Sequence, residues 1–138
     1  MITFKNSYLR IFRLSILVFL LGCGLAMGQA PWSYTIIALF SLLTLFFVIS
    51  CQKIITHDKL IFIFGLGYFC LSLHWIVQPF LVEGGVYLLI APFGFLGLII
   101  LCSSFWTISS FFVLKVSKHS PSLTVAFAIL LGEITRSY

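Results

Sequence analysis

Long apolar runs separated by short polar segments divide the chain into five. The runs cover 14–30, 34–51, 60–82, 86–114 and 122–138, and none shows the strict alternation of a half-buried strand. The first four are long enough for a membrane-crossing helix, and the last, whose apolar part LTVAFAILLG meets Glu133 and Arg136, is expected to be cut short. The 23 residues of 60–82 reach roughly 34 Å at about 1.5 Å per residue. The 86–114 run would extend about 43 Å if straight, beyond the ~30 Å hydrocarbon core, and Pro92 with Gly94 and Gly97 offers a break. Pro31, then Trp32 and Tyr34, closes the first run and anchors the second, so the first two helices form a hairpin. Glu83-Gly84-Gly85 is a turn. The expected fold is a single all-α domain, a polytopic transmembrane bundle of about five helices.

Composition strengthens that reading. With 62% hydrophobic and 8% charged residues, and a mean hydropathy of +1.22, 138 residues carry too little polar surface to clothe a soluble globule. The net charge of +5 does not point to nucleic acid. Lys5, Arg10, Arg13, Lys53, Lys59, Lys115 and Lys118 fall in short segments between apolar runs, with no basic helix face or aromatic platform. Those seven of the eight basic residues lie in alternate loops, which puts the N-terminus in the cytoplasm. The fifth helix then runs outward and carries Glu133 and Arg136, which at i and i+3 pair inside the bundle or else lie at a water-exposed helix end.

Few residues offer chemistry. Cys23, Cys51, Cys70 and Cys102 lack CxxC or Cys/His metal spacing and read as small apolar packers, and no metal or cofactor is expected. Gly24 and Gly28 have the small-xxx-small spacing of a close helix contact. A lipoprotein signal ending at Cys23 is disfavoured by bulky Leu21 and by the apolar runs that follow. Ser103, Thr107 and Ser110 form a hydroxyl stripe without a base, which reads as packing glue. In 64–82, Gly67, Cys70, His74 and Gln78 recur one helical turn apart and should face protein. Cys70 and His74 have the residue types of a nucleophile and base, although a histidine hydrogen-bonded to a neighbouring helix is the favoured account. Counting back from Val82 puts Gln78 about 6 Å and His74 about 12 Å below the outer helix end.

Three stretches, in order, resemble the apolipoprotein N-acyltransferases of the bacterial inner membrane. GCGLAMGQAPWSYTIIALFSL resembles that family's first hairpin; FGLGYFCLSLHWIVQPFLV resembles its third helix, with the Trp-Ile pair at Trp75 and Ile76. GEITRSY resembles its Glu-x-x-Arg-Gly helix end, here Glu133 and Arg136, with Ser137 where glycine is usual. The resemblance implies a membrane bundle that works with a periplasmic nitrilase-like domain. That domain's Glu, Lys and Cys pass an acyl chain from phospholipid, through a thioester, to the amino group of a diacylglyceryl-cysteine lipoprotein.

None of the four cysteines matches that nucleophile, and Glu133 does not match the catalytic glutamate. The chain is therefore expected to be a truncated homologue, silent alone, with no catalytic residue of its own. Its implied partners are phospholipid and a lipoprotein substrate or separately encoded catalytic domain. His74, Trp75, Gln78, Glu133 and Arg136 would lie on the bundle-facing or lipid-substrate side. The competing reading is a small inner-membrane scaffold or interaction subunit.

The charge pattern predicts that a cysteine placed at Ser120 in a Cys-less background is labelled only after the cell is opened. Labelling from outside intact cells would reverse the orientation.

Overall fold

The computed structural model describes residues 2–29, 31–51, 57–116, 125–127 and 129–130. Every regular element among them is helical: α1 (Ile2–Ala26), α2 (Thr35–Ser50), α3 (His57–Ser72), a 3-10 turn (His74–Ile76), α4 (Val77–Glu83) and α5 (Val86–Val116). Glu133, Arg136 and most of the expected fifth helix, 122–138, lie outside the described residues. Val125, within that stretch, is fully buried in the core, and Ile129 packs against it.

The first helix begins at Ile2 rather than near residue 14. Hydropathy marks where a helix becomes apolar, not where its backbone bonds start. The third run, expected as one helix over 60–82, is two, with α3 and the segment His74–Glu83 bent by 49°. Pro79 supplies the reason. In a continuous helix its missing N–H and its ring would break the bond to Trp75, whereas restarting at Val77 places Pro79 in the first turn, where no intrahelical N–H bond is required. Leu73, at φ −100° and ψ 6°, absorbs the change of direction. The 86–114 run, by contrast, does not break. Pro92 stands in the second turn of α5, where it forgoes one bond to the Leu88 carbonyl, and the helix nevertheless runs through it for 31 residues. At Gly84 and Gly85, φ values of 67° and 63° require glycine and make the α4–α5 reversal.

α3 is the centre of the molecule, packed on α1 on one side and α5 on the other, while α2 lies against α1 and α4 against α5. Its buried positions His57, Leu60, Ile61, Phe64, Gly65, Tyr68 and Phe69 follow the three-and-four spacing of a helix face. Trp106 of α5 meets Phe64, Tyr68 and Phe69 with ring centroids 6.0, 4.9 and 4.9 Å away. Rings at these separations add about 0.5–1.5 kcal/mol per pair beyond area burial.

Glycines let the helix backbones meet. A Cβ at Gly22 would overlap the Phe64 carbonyl oxygen and stand 2.8 Å from the Tyr68 nitrogen. One at Gly67 would overlap the Phe19 carbonyl oxygen and stand 3.3 Å from the Cys23 nitrogen. The α1–α3 contact is therefore reciprocal, backbone against backbone. Gly24 and Gly28 instead face α2, against the Ser41 hydroxyl and the Ala38 methyl. Gly65 allows α5 to approach at Ser103, 3.2 Å from where a Cβ would be.

The outer surface is apolar. On α2, Ile36, Phe40, Leu43 and Phe47 are 84%, 70%, 66% and 70% exposed, and Leu89 and Phe93 of α5 are 72% and 77% exposed. Contiguous apolar surface of this extent belongs in hydrocarbon rather than water. Among the described residues α5 is long and apolar enough to cross a membrane, and α3 with the bent segment after it passes the same test as a broken span. The apolar part of α1, Ile11–Ala26, and α2 are shorter apolar helices.

Because the Gly22 and Gly67 neighbours are backbone atoms that cannot rotate away, Gly22→Ala or Gly67→Ala should each destabilise the detergent-solubilised protein by about 1–3 kcal/mol. Gly94→Ala and Gly97→Ala, with open space around both positions, should be neutral or stabilise by up to about 1 kcal/mol. Unfolding in mixed micelles measures both, and equal effects at the two pairs would contradict the packing.

Candidate functional site

The α1–α2 turn and the α3–α4 break meet at one end of the bundle and enclose an open recess of about 670 Å³. Gln29, Pro31 and Trp32 line one wall; Ser72, His74, Trp75 and Gln78 line the other. The turn is held by its backbone. Gln29 N–H donates to the Ala26 carbonyl (3.0 Å), Ser33 N–H to the Gln29 carbonyl (2.9 Å) and Tyr34 N–H to the Met27 carbonyl (3.0 Å). Ser33 adopts a φ of 53°, unusual for a residue with a side chain, at the point where the chain reverses.

Gln29 ties the two walls together. Its side-chain N–H donates to the Tyr68 hydroxyl, and its carbonyl oxygen accepts from the Ser72 hydroxyl at 2.8 Å. The Tyr68 ring lies in the core beside Trp106, so a polar relay runs from a buried aromatic cluster to the floor of the recess. An amide used at both ends has one orientation, which fixes the turn relative to α3.

His74 is exposed at the rim. Its Nδ1 lies 2.7 Å from the Leu71 carbonyl oxygen, and since a carbonyl only accepts, Nδ1 carries the proton and donates. In the neutral ring Nε2 then remains an acceptor. The imidazole packs beside the Trp32 ring at 5.4 Å, with the planes 31° apart. Together Trp32, His74 and Trp75 give the recess an aromatic rim over a polar floor, suited to the boundary between headgroups and hydrocarbon.

The break at Leu73 changes the expected stripe. Gly67 stays in the α1–α3 contact and half-buried Cys70 packs against the core, while His74 and Gln78 turn into the recess. His74 bonds to the Leu71 carbonyl rather than to Cys70 and packs beside Trp32. Nor do the hydroxyls of α5 form a reactive pair. Ser103 donates to the Ile99 carbonyl at 2.8 Å and Thr107 to the Ser103 carbonyl at 2.9 Å. Among the described residues there is no group of three His, Cys, Asp or Glu side chains placed to hold a metal, and no cysteine forms a disulfide. Cys23 directs its thiol to the Gly67 carbonyl at 3.4 Å, inside the helix contact. Sequence reasoning missed Gln29 and Ser72. The available signal was an uncharged amide at the end of an apolar run, where its hydrogen bonds must go to protein or to headgroups.

A family model described as the apolipoprotein N-acyltransferase N-terminal domain matches residues 21–138. The match takes in the recess and all three of the stretches on which the resemblance was based. No curated protein and no solved structure matches the chain.

Replacing Gln29 with leucine removes the amide that bonds Tyr68 and Ser72, and should cost about 1–3 kcal/mol in unfolding free energy. His74→Leu, at an exposed rim position, should change stability by less than about 0.5 kcal/mol. Similar losses for the two variants would contradict a special part for Gln29 in holding the turn.

Proposed function

This chain belongs to the family of apolipoprotein N-acyltransferase N-terminal domains, and on that footing we propose that it is the membrane part of an enzyme that N-acylates lipoproteins. The family match over residues 21–138 is the observation that carries the reading. The reaction moves an acyl chain from a phospholipid, by way of a cysteine thioester, to the amino group of a diacylglyceryl-cysteine lipoprotein, and a nitrilase-like domain performs it. The membrane part holds that domain at the bilayer surface and presents lipid to it.

In this reading the protein is a multi-pass bundle of about five helices in the bacterial inner membrane, with the N-terminus inside. The recess formed by Gln29, Trp32, His74, Trp75 and Gln78 then opens in the outer leaflet, on the side where a periplasmic domain sits. Its aromatic rim and uncharged polar floor suit a lipid headgroup region or the underside of the catalytic domain.

Residues 1–138 contain no cysteine matching the family nucleophile, and the Cys23 thiol and the His74 Nδ1 are each directed to a backbone carbonyl. Expressed alone in a strain depleted of its own enzyme, this polypeptide should leave lipoproteins diacylated, as read by mass spectrometry of their N-terminal peptides. Co-expression with a catalytic domain of the family should restore triacylation, and His74→Leu should weaken that restoration while the protein still inserts. Triacylation by residues 1–138 alone would overturn the division of labour. Failure of every family catalytic domain to restore it would favour the scaffold.

A further inference from the structure

Cys23 and Cys70 are both half-buried, and they sit on the two helices that the glycine contact brings together. That contact fixes their heights. Gly22 lies against Phe64 and Tyr68 while Gly67 lies against Phe19 and Cys23, so α1 and α3 run parallel, with each α1 residue level with the α3 residue about 45 positions later. Cys70 follows Cys23 by 47 positions, which leaves the two roughly 3 Å apart along the axis at about 1.5 Å per residue. They also share a flank. The Cys23 thiol lies 3.4 Å from the Gly67 carbonyl oxygen, and a helix carbonyl points toward the following turn, where Cys70 stands on the same face as Gly67. The two sulfurs are near enough to interact electrostatically.

A disulfide needs Cα atoms about 4.4–6.8 Å apart. Helix axes at the ordinary spacing of about 8–10 Å put residues beside the contact line at or beyond that limit, whereas backbones that touch at Gly22 and Gly67 bring them inside it. We propose that Cys23 and Cys70 are a dithiol pair that oxidises to a disulfide between α1 and α3. The oxidant is a second disulfide. One protein thiol loses its proton and displaces a thiolate from the oxidant, giving a mixed disulfide; the other loses its proton and attacks the protein sulfur of that bond. The Sγ–Sγ bond forms, and the oxidant leaves reduced, as two thiols carrying both protons. The pair stands directly below the recess, since Ala26 is one turn after Cys23, and Leu71 and Ser72 follow Cys70. Oxidation would join covalently the two walls that Gln29 joins by hydrogen bonds. In the proposed orientation that end of the bundle faces an oxidising compartment, but the pairing itself does not rest on that reading.

Oxidation of the detergent-solubilised chain with dipyridyl disulfide tests the pairing, in a Cys51→Ser, Cys102→Ala background that leaves these two thiols alone. Free thiols should fall from two to none in monomeric protein, with the intact mass lower by two hydrogens and no pyridyl group retained. Peptide mapping should join the Cys23 and Cys70 peptides, and dithiothreitol should separate them. Cys23→Ala and Cys70→Ala should each stop at one stable pyridyl adduct. Because Cys102 is buried, the oxidation is repeated with Cys51→Ser alone, where the same two peptides should be joined. Circular dichroism checks the helix content of each variant. Two pyridyl adducts on the folded protein, a bridge to a second molecule, a bridge from Cys70 to Cys102, or thiols that react only after denaturation would each overturn the pairing. Labelling at Ser120 tests the orientation separately.

Discussion

Everything positioned by α3 depends on a contact that contains almost no side chain. Gly22 and Gly67 let the backbones of α1 and α3 touch, with carbonyl oxygens lying where any other residue would put its Cβ. In hydrocarbon there is little hydrophobic force between helices, because lipid tails are as apolar as leucine. Close van der Waals approach and weak Cα–H···O contacts must supply the association instead. The thiol of Cys23, donated to the Gly67 carbonyl, lies in the same seam. Tyr68 follows Gly67 directly, so the depth of the α1–α3 approach sets where its ring meets Trp106 and where its hydroxyl meets Gln29.

From that seam the two ends of α3 take different characters. At its C-terminal end the helix stops at Ser72, and the chain turns through a short 3-10 segment before α4. The bend opens the recess and swings His74 and Gln78 into it, away from the face that holds Cys70. At its N-terminal end fully buried His57 approaches the Ile49 carbonyl of α2 at 3.1 Å, fastening the start of α3 to the end of the hairpin. Asp58 and Lys59 follow at once in its first turn. One helix thus carries the aromatic recess at one end and its fastening to the hairpin at the other.

How much of this could be read from the residues differs from element to element. The all-helical class followed from the apolar runs, and the family followed from three ordered stretches that the match to residues 21–138 includes. Proline was harder to read. Pro92 looked like a break and Pro79 did not, yet the chain breaks before Pro79 and runs through Pro92. Pro79 falls in the first turn of a new helix, whereas Pro92 is accommodated in the second turn of α5, and hydropathy shows neither where a helix starts nor which proline it tolerates. Gly24 and Gly28 were conspicuous by their spacing and lie against α2. The contact that brings α1 onto α3 pairs Gly22 with Gly67, residues far apart in the chain whose meeting no local pattern displays. Gln29 was similarly hidden, because its value lies in bonding Tyr68 and Ser72 at once.

The direct test of the account is whether the α1 and α3 backbones touch in a bilayer. In lipid nanodiscs, with the chain selectively labelled at glycine, serine, tyrosine and cysteine, the Gly22 α-proton should show a nuclear Overhauser contact to the Tyr68 amide, and the Gly67 α-proton one to the Cys23 amide. Those amide nitrogens stand 2.8 and 3.3 Å from where the respective Cβ atoms would be. Observing both contacts is the predicted result. Their absence in a sample that still shows the Gly65 to Ser103 contact between α3 and α5 would contradict the claim that a glycine seam organises the fold.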